Sequence, residues 1–132
     1  MVASSLLPKG FVLKANGGVL RNGTIIGNDT KIDGTDTLFD HIIIKGTWNV
    51  PYITTRLFAN LDYENSLRDV VALANPRIRN RIVIGKGIYY VRTEKESDIC
   101  ISLCSNTDFI LEGTIKLLPN DNRIYSIVKI ED

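Results

Sequence analysis

Apolar residues in the first part of the chain come in short pieces: Phe11-Val12-Leu13, Val19-Leu20, Ile25-Ile26, Ile32 and Ile42-Ile43-Ile44, divided by Gly, Asn, Asp and Thr. Pieces of that length bounded by turn formers predict strands rather than helices. Gly27-Asn28-Asp29-Thr30 and Asp33-Gly34-Thr35-Asp36 read as turns, because Asn and Asp bond their own backbone. Neither has the ligand spacing of a calcium loop. From Asp62 to Asn75 the period changes. Leu67, Val70, Val71 and Ala74 recur at i, i+3, i+4 and i+7, which predicts an amphipathic helix with Asp62 as N-cap, Glu64 near its positive end and Pro76 as its stop. Strands are expected again at Arg81 to Ile84, Ile88 to Val91, Ile99 to Leu103, Phe109 to Leu111, Thr114 to Leu118 and Tyr125 to Ile130.

Three segments share a tail: Gly18 to Thr24, His41 to Thr47 and Asp108 to Thr114, each ending in Gly-Thr before a large apolar residue, Ile25, Trp48 or Ile115. The pattern predicts strand, tight corner at Gly23, Gly46 or Gly113, then strand, with Gly85 and Gly87 forming a similar turn. Gly23 and Gly46 are 23 positions apart (46 − 23 = 23), close to one turn of a solenoid. The organisation expected is one module over residues 1–132: leading partial coils at 1–56, an inserted helical segment at 57–76, and the first regular coils at 77–132. The strand expected at Tyr125 to Ile130 has no visible cap, so further coils of the same protein or a partner chain are expected at that edge.

Sixteen basic and 15 acidic residues leave a net charge of +1, which offers no global attraction to nucleic acid or an anionic membrane. No apolar run approaches the roughly 20 residues that span a bilayer, and no secretory signal is visible at Met1 to Gly10. Cys100 and Cys104 are four apart in an expected strand, roughly 13 Å, too far to bridge. With His41 as the only histidine and no C-x-x-C, neither a structural metal site nor a cofactor is expected. Both cysteines read as small buried residues.

The order of helix (Leu67 to Ala74), strand and glycine-rich turn into an aromatic strand (Arg81-Ile82-Val83-Ile84-Gly85-Lys86-Gly87-Ile88-Tyr89-Tyr90-Val91) resembles the N-terminal opening module of right-handed parallel β-helix proteins of the pectate-lyase-like superfamily. The segment Asn16 to Gly27 looks like the partial coils ahead of that module in β-helix proteins of gut Bacteroidetes and their phages. The resemblance implies a mainly β, right-handed parallel β-helix with one short inserted α-helix. It departs at Asn60-Leu61-Asp62-Tyr63-Glu64, where many members carry Gly-Asp-Gly, and the coils that bear family catalytic groups have no counterpart here. Members range from polysaccharide lyases and glycoside hydrolases to tailspikes and fibres, so the likeness speaks to fold more than to function.

Asn106-Thr107-Asp108 matches the tripeptide that opens the polygalacturonase catalytic signature, but its companion segments are missing and it reads as a turn into a strand. Glu94-Lys95-Glu96-Ser97-Asp98 reads as a solvated loop. His41 has no partner for base catalysis in visible register. Arg77, Arg79 and Arg81 alternate, so one face presents them to an acidic sugar or a phosphate, or simply to solvent as surface charge. Trp48, Tyr52, Tyr89 and Tyr90 offer stacking faces. Asn22-Gly23-Thr24 and Asn28-Asp29-Thr30 fit the glycosylation pattern and equally read as turns. The residues expected to contact carbohydrate are Trp48, Tyr89, Tyr90, Arg77 and Arg79, with no catalytic residue. The expected role is a structural or attachment module of a fibre, tailspike or adhesin, on a virion or cell surface, directed at a polysaccharide. Tailspike analogy implies a homotrimer. The alternative is a non-catalytic N-terminal piece of a polysaccharide lyase or glycoside hydrolase.

Overall fold

The computed structural model describes residues 4–93, 99–118 and 126–131. The strands are β1 (Ser4–Leu6), β2 (Val12–Lys14), β3 (Leu20–Asp33), β4 (Phe39–Trp48), β5 (Tyr52–Thr54), β6 (Asn80–Ile84), β7 (Ile88–Val91), β8 (Ile99–Cys104), β9 (Thr107–Leu111), β10 (Thr114–Leu117) and β11 (Ser126–Glu131). A 3₁₀ turn at Thr55–Leu57 follows β5, and α1 (Leu67–Val71) precedes β6. The chain is mainly β, and among the described residues every pairing of strands is parallel.

The pairing comes in layers. Strands β6, β7 and β8 lie beside β9, β10 and β11 in turn, with Ile82 opposite Phe109, Tyr89 opposite Ile115 and Ile101 opposite Val128. The first and third pairs are each 27 positions apart (109 − 82 = 27; 128 − 101 = 27). Ile82, Ile84, Tyr89, Val91 and Ile101 are buried, because a layer lies above them. Their counterparts Phe109, Ile115, Leu117 and Val128 are half-buried, and Leu111, opposite Ile84, is 45% exposed. The alternation of inward and outward residues is that of strands with one face on a core.

The Gly-Thr repeat does not set the register. Gly23 lies inside β3 opposite Ile42, with no corner, and Gly46 lies in β4 opposite Gly27, at a spacing of 19 (46 − 27 = 19). The physical reason is close packing. A Cβ on Gly46 would stand 2.6 Å from the Gly27 amide nitrogen, and one on Gly27 would stand 2.6 Å from the Trp48 indole. Gly46 also has φ +82. In this register Asn22 (φ +55) and His41 (φ +54) occupy equivalent left-handed positions, 19 apart (41 − 22 = 19). The stretch expected as a turn at Gly27 to Thr30 is instead an irregularity within β3, with Asp29 at φ +49 and a register shift against β4. Gly85 lies between β6 and β7 and Gly113 between β9 and β10, at strand-to-strand corners as expected, with Gly87 just before β7.

The helix is shorter than its stripe. Leu67 and Val70 are buried as predicted, joined by Leu73, but regular α-helix covers only Leu67–Val71. Asn65 sits at φ +60, and its backbone N–H and side chain are taken by Tyr90 and Arg92 across the molecule. A helix cannot run through it. Asp62 is therefore no N-cap: its N–H donates to Asn60 Oδ1. Glu64 pairs with Arg92 instead, at 2.9 Å. At the other end, Asn75 and Pro76 enter a loop held by buried Asn80, whose amide donates to the Asn75 and Ile78 carbonyls at 2.7 and 3.1 Å.

Candidate functional site

The residues expected to meet a carbohydrate are scattered by burial. Trp48 is 1% exposed, its Nε1–H donates to the Lys45 carbonyl at 2.8 Å, and its ring meets Phe39 edge-on at 6.2 Å. It is a core residue, and no sugar reaches its face. Tyr89 is 6% exposed and its hydroxyl donates to the Gly85 carbonyl at 2.7 Å, so it braces the β6–β7 corner rather than offering a platform. Tyr90 is half-buried. Arg77 and Arg79 are exposed, as expected, and Arg79 reaches Asp108 at 3.2 Å.

Of the four aromatics expected to offer stacking faces, Tyr52 on β5 is the exposed one, at 48%. Its register partner on β6 is Arg81, and the partner of Arg81 on β9 is Asp108. Ile53, Ile82 and Phe109, the next residues along each strand, point inward to the core. The three outward residues thus form a row across three strands at the ~4.8 Å spacing of a sheet. Arg79 extends the row through its ion pair with Asp108. Sequence reasoning named all four side chains but not their alignment, which depends on a register between residues 29 and 27 positions apart (81 − 52 = 29; 108 − 81 = 27). An exposed phenol beside a guanidinium and a carboxylate gives a ring for the C–H face of a sugar and planar donors and acceptors for paired hydroxyls.

A second group surrounds His41. Its Nδ1–H donates to Asp40 at 2.7 Å, and Asp40 also pairs with Arg21 at 3.3 Å. The expectation that His41 has no carboxylate partner is corrected by its own neighbour. The ring lies 5.4 Å from that of Tyr63. Tyr63 donates to Asp69 Oδ2 at 2.9 Å, and the Ile44 N–H donates to Asp69 Oδ1 at 3.2 Å. Burial raises the Asp69 carboxyl above its ordinary value, opposed by those two bonds, and burial with the Asp69 charge raises Tyr63. His41, Tyr63 and Asp69 with Ile42 and Ile43 line a pocket of about 200 Å³. Through Tyr63 and Asp69 the arrangement ties the segment before α1, and α1 itself, to β4.

Cys100 is buried and Cys104 half-buried, both free, and burial pushes the Cys100 thiol up. A raised thiol is unreactive. Asn106 and Asp108 serve the turn and the row: Asn106 donates to the Pro76 carbonyl at 3.1 Å and sits at φ +62 before β9. The acidic stretch Glu94 to Asp98 and Tyr125 lie outside the described residues. Among the described residues no group of three or more His, Cys, Asp or Glu could hold a metal, and no helix is long and apolar enough to cross a membrane.

No protein-family model matches the chain, and comparison with curated proteins and with solved structures gives no match.

Proposed function

We propose that this chain is the front section of a right-handed parallel β-helix that works as a structural and attachment module, as in a fibre, tailspike or adhesin, and holds a polysaccharide on the outer face of β5, β6 and β9. The observation that carries the attachment reading is the aligned row of Tyr52, Arg81 and Asp108, an exposed aromatic at the end of a sheet row whose next two positions are charged. The β-helix reading rests on two successive sets of three strands stacked in parallel at a near-constant offset. Parallel crossovers are right-handed almost without exception. The half-open apolar face of Phe109, Leu111, Ile115 and Leu117 then receives a further parallel layer, from the same protein or a partner chain. A virion or cell-surface setting follows from attachment to a polysaccharide.

Affinity electrophoresis against a panel of capsular and pectic polysaccharides tests the reading. At least one polysaccharide retards the protein, and Tyr52→Ala with Arg81→Ala abolishes the retardation while leaving the thermal midpoint in place, since both side chains are exposed. Loss of nothing in that variant would refute it. Release of new reducing ends by the purified protein would move the chain to the depolymerising enzymes instead.

A further inference from the structure

We propose that the cleft between the 3₁₀ turn and the β6–β7 corner is a subsite for a carboxylate-bearing sugar, so that the glycan held by this module is anionic; the inference rests on the attachment reading and names its ligand class. The cleft holds about 440 Å³, within the range of small-ligand pockets. Arg56 stands on one wall and Lys86 on the other, with Asp62 as the only carboxylate of the lining. Arg21, Arg79 and Arg92 are each paired with a carboxylate at 3.3 Å or less. Neither Arg56 nor Lys86 has an ion-pair partner among the described residues. Two unpaired cations facing one cavity are what a carboxylate needs, since charge-assisted hydrogen bonds are the strong ones.

The remaining lining suits a sugar ring. Phe58, Leu61 and the exposed Ile88 give an apolar surface for its C–H face, and Asp62 accepts from hydroxyls. The walls are fixed in advance: the Gly85 N–H donates to the Thr55 hydroxyl at 3.0 Å, and Tyr89 donates to the Gly85 carbonyl. Arg56 follows Tyr52 by four positions, and Lys86 follows Arg81 by five. The 3₁₀ turn that carries Arg56 follows β5 directly, so row and cleft are neighbours along the chain and one oligosaccharide is proposed to meet both.

Isothermal titration at low and moderate salt decides the matter, using oligogalacturonate, a sulfated oligosaccharide and a neutral oligosaccharide of equal length. Oligogalacturonate binds tightest, and Arg56→Gln with Lys86→Gln weakens it about tenfold or more and flattens its salt dependence, with no change in thermal midpoint. Equal binding of neutral and uronate chains, an unchanged double variant, or preference for the sulfated chain each overturns the carboxylate assignment. Neutral binding that is lost only with Tyr52→Ala and Arg81→Ala overturns this inference while the attachment reading stands. Absence of binding to every glycan overturns both.

Discussion

Asn80 is the buried polar residue on which the segment leading into β6 depends, and its removal is expected to loosen that segment. It is 0% exposed. Its amide donates to the Asn75 and Ile78 carbonyls, and its Oδ1 accepts from the Asn75 N–H at 3.2 Å. Asn75 in turn donates to the Trp48 carbonyl at 3.0 Å, so the contact ties this loop to the end of β4. Asn80→Ala removes three hydrogen bonds at a net of ~1 kcal/mol each, before any penalty for stranded partners. A loss of about 3 kcal/mol is expected, or roughly 10 °C in Tm for a domain of this size. Asn80→Asp separates this account from simple packing. The variant keeps the acceptor but turns a carboxylate oxygen toward two carbonyls, so it is at least as unstable as Ala at pH 7 and recovers as acid pH restores a donor. Urea titrations followed by circular dichroism at pH 4 and pH 7 measure both. A loss under about 0.5 kcal/mol for Asn80→Ala, well below even one typical hydrogen bond, or no acid recovery for Asn80→Asp, would show that the network does not hold the loop.

Gly46→Ala places a side chain at φ +82 and against the Gly27 backbone; ~1–2 kcal/mol for the left-handed angle and ~1–3 for overpacking predict a urea midpoint shift equivalent to about 2–5 kcal/mol, and a neutral result would contradict the Gly27–Gly46 register. The Asp69 carboxyl is raised by burial above its ordinary 3.8, so the folded state binds its proton more tightly than the unfolded chain. Its contribution is fully present below that ordinary value and is lost as pH rises through the folded one. Asp69→Asn therefore removes that pH-dependent part, and the stability of the wild type relative to Asp69→Asn falls between pH 3.5 and pH 7; a difference that grows over that range would reverse the sign.

The sequence carried the strands and their punctuation, because alternation is local. The strands holding buried Ile82, Ile84 and Val91 were legible in this way, as was the buried face of Leu67 and Val70. Register was not legible. Aligning the Gly-Thr tails pairs Gly23 with Gly46, whereas the chain pairs Gly27 with Gly46, since the indole of Trp48 needs a residue without a side chain beneath it. The same packing took Trp48 out of the surface, where its composition-level promise as a stacking residue lay. The helix ran short for a tertiary reason, the capture of Asn65 by Tyr90 and Arg92. The row of Tyr52, Arg81 and Asp108 and the lining of one cleft by both Arg56 and Lys86 bring together residues tens of positions apart, and no local pattern encodes them.

Amide chemical-shift perturbation by bound oligosaccharide locates the glycan-binding face residue by residue. Shifts are expected at Tyr52, Arg81 and Asp108, on three strands joined only by parallel register, with the amides around buried Trp48 unmoved. Perturbations centred on the His41, Tyr63 and Asp69 pocket, with the β5–β6–β9 face silent, would contradict it.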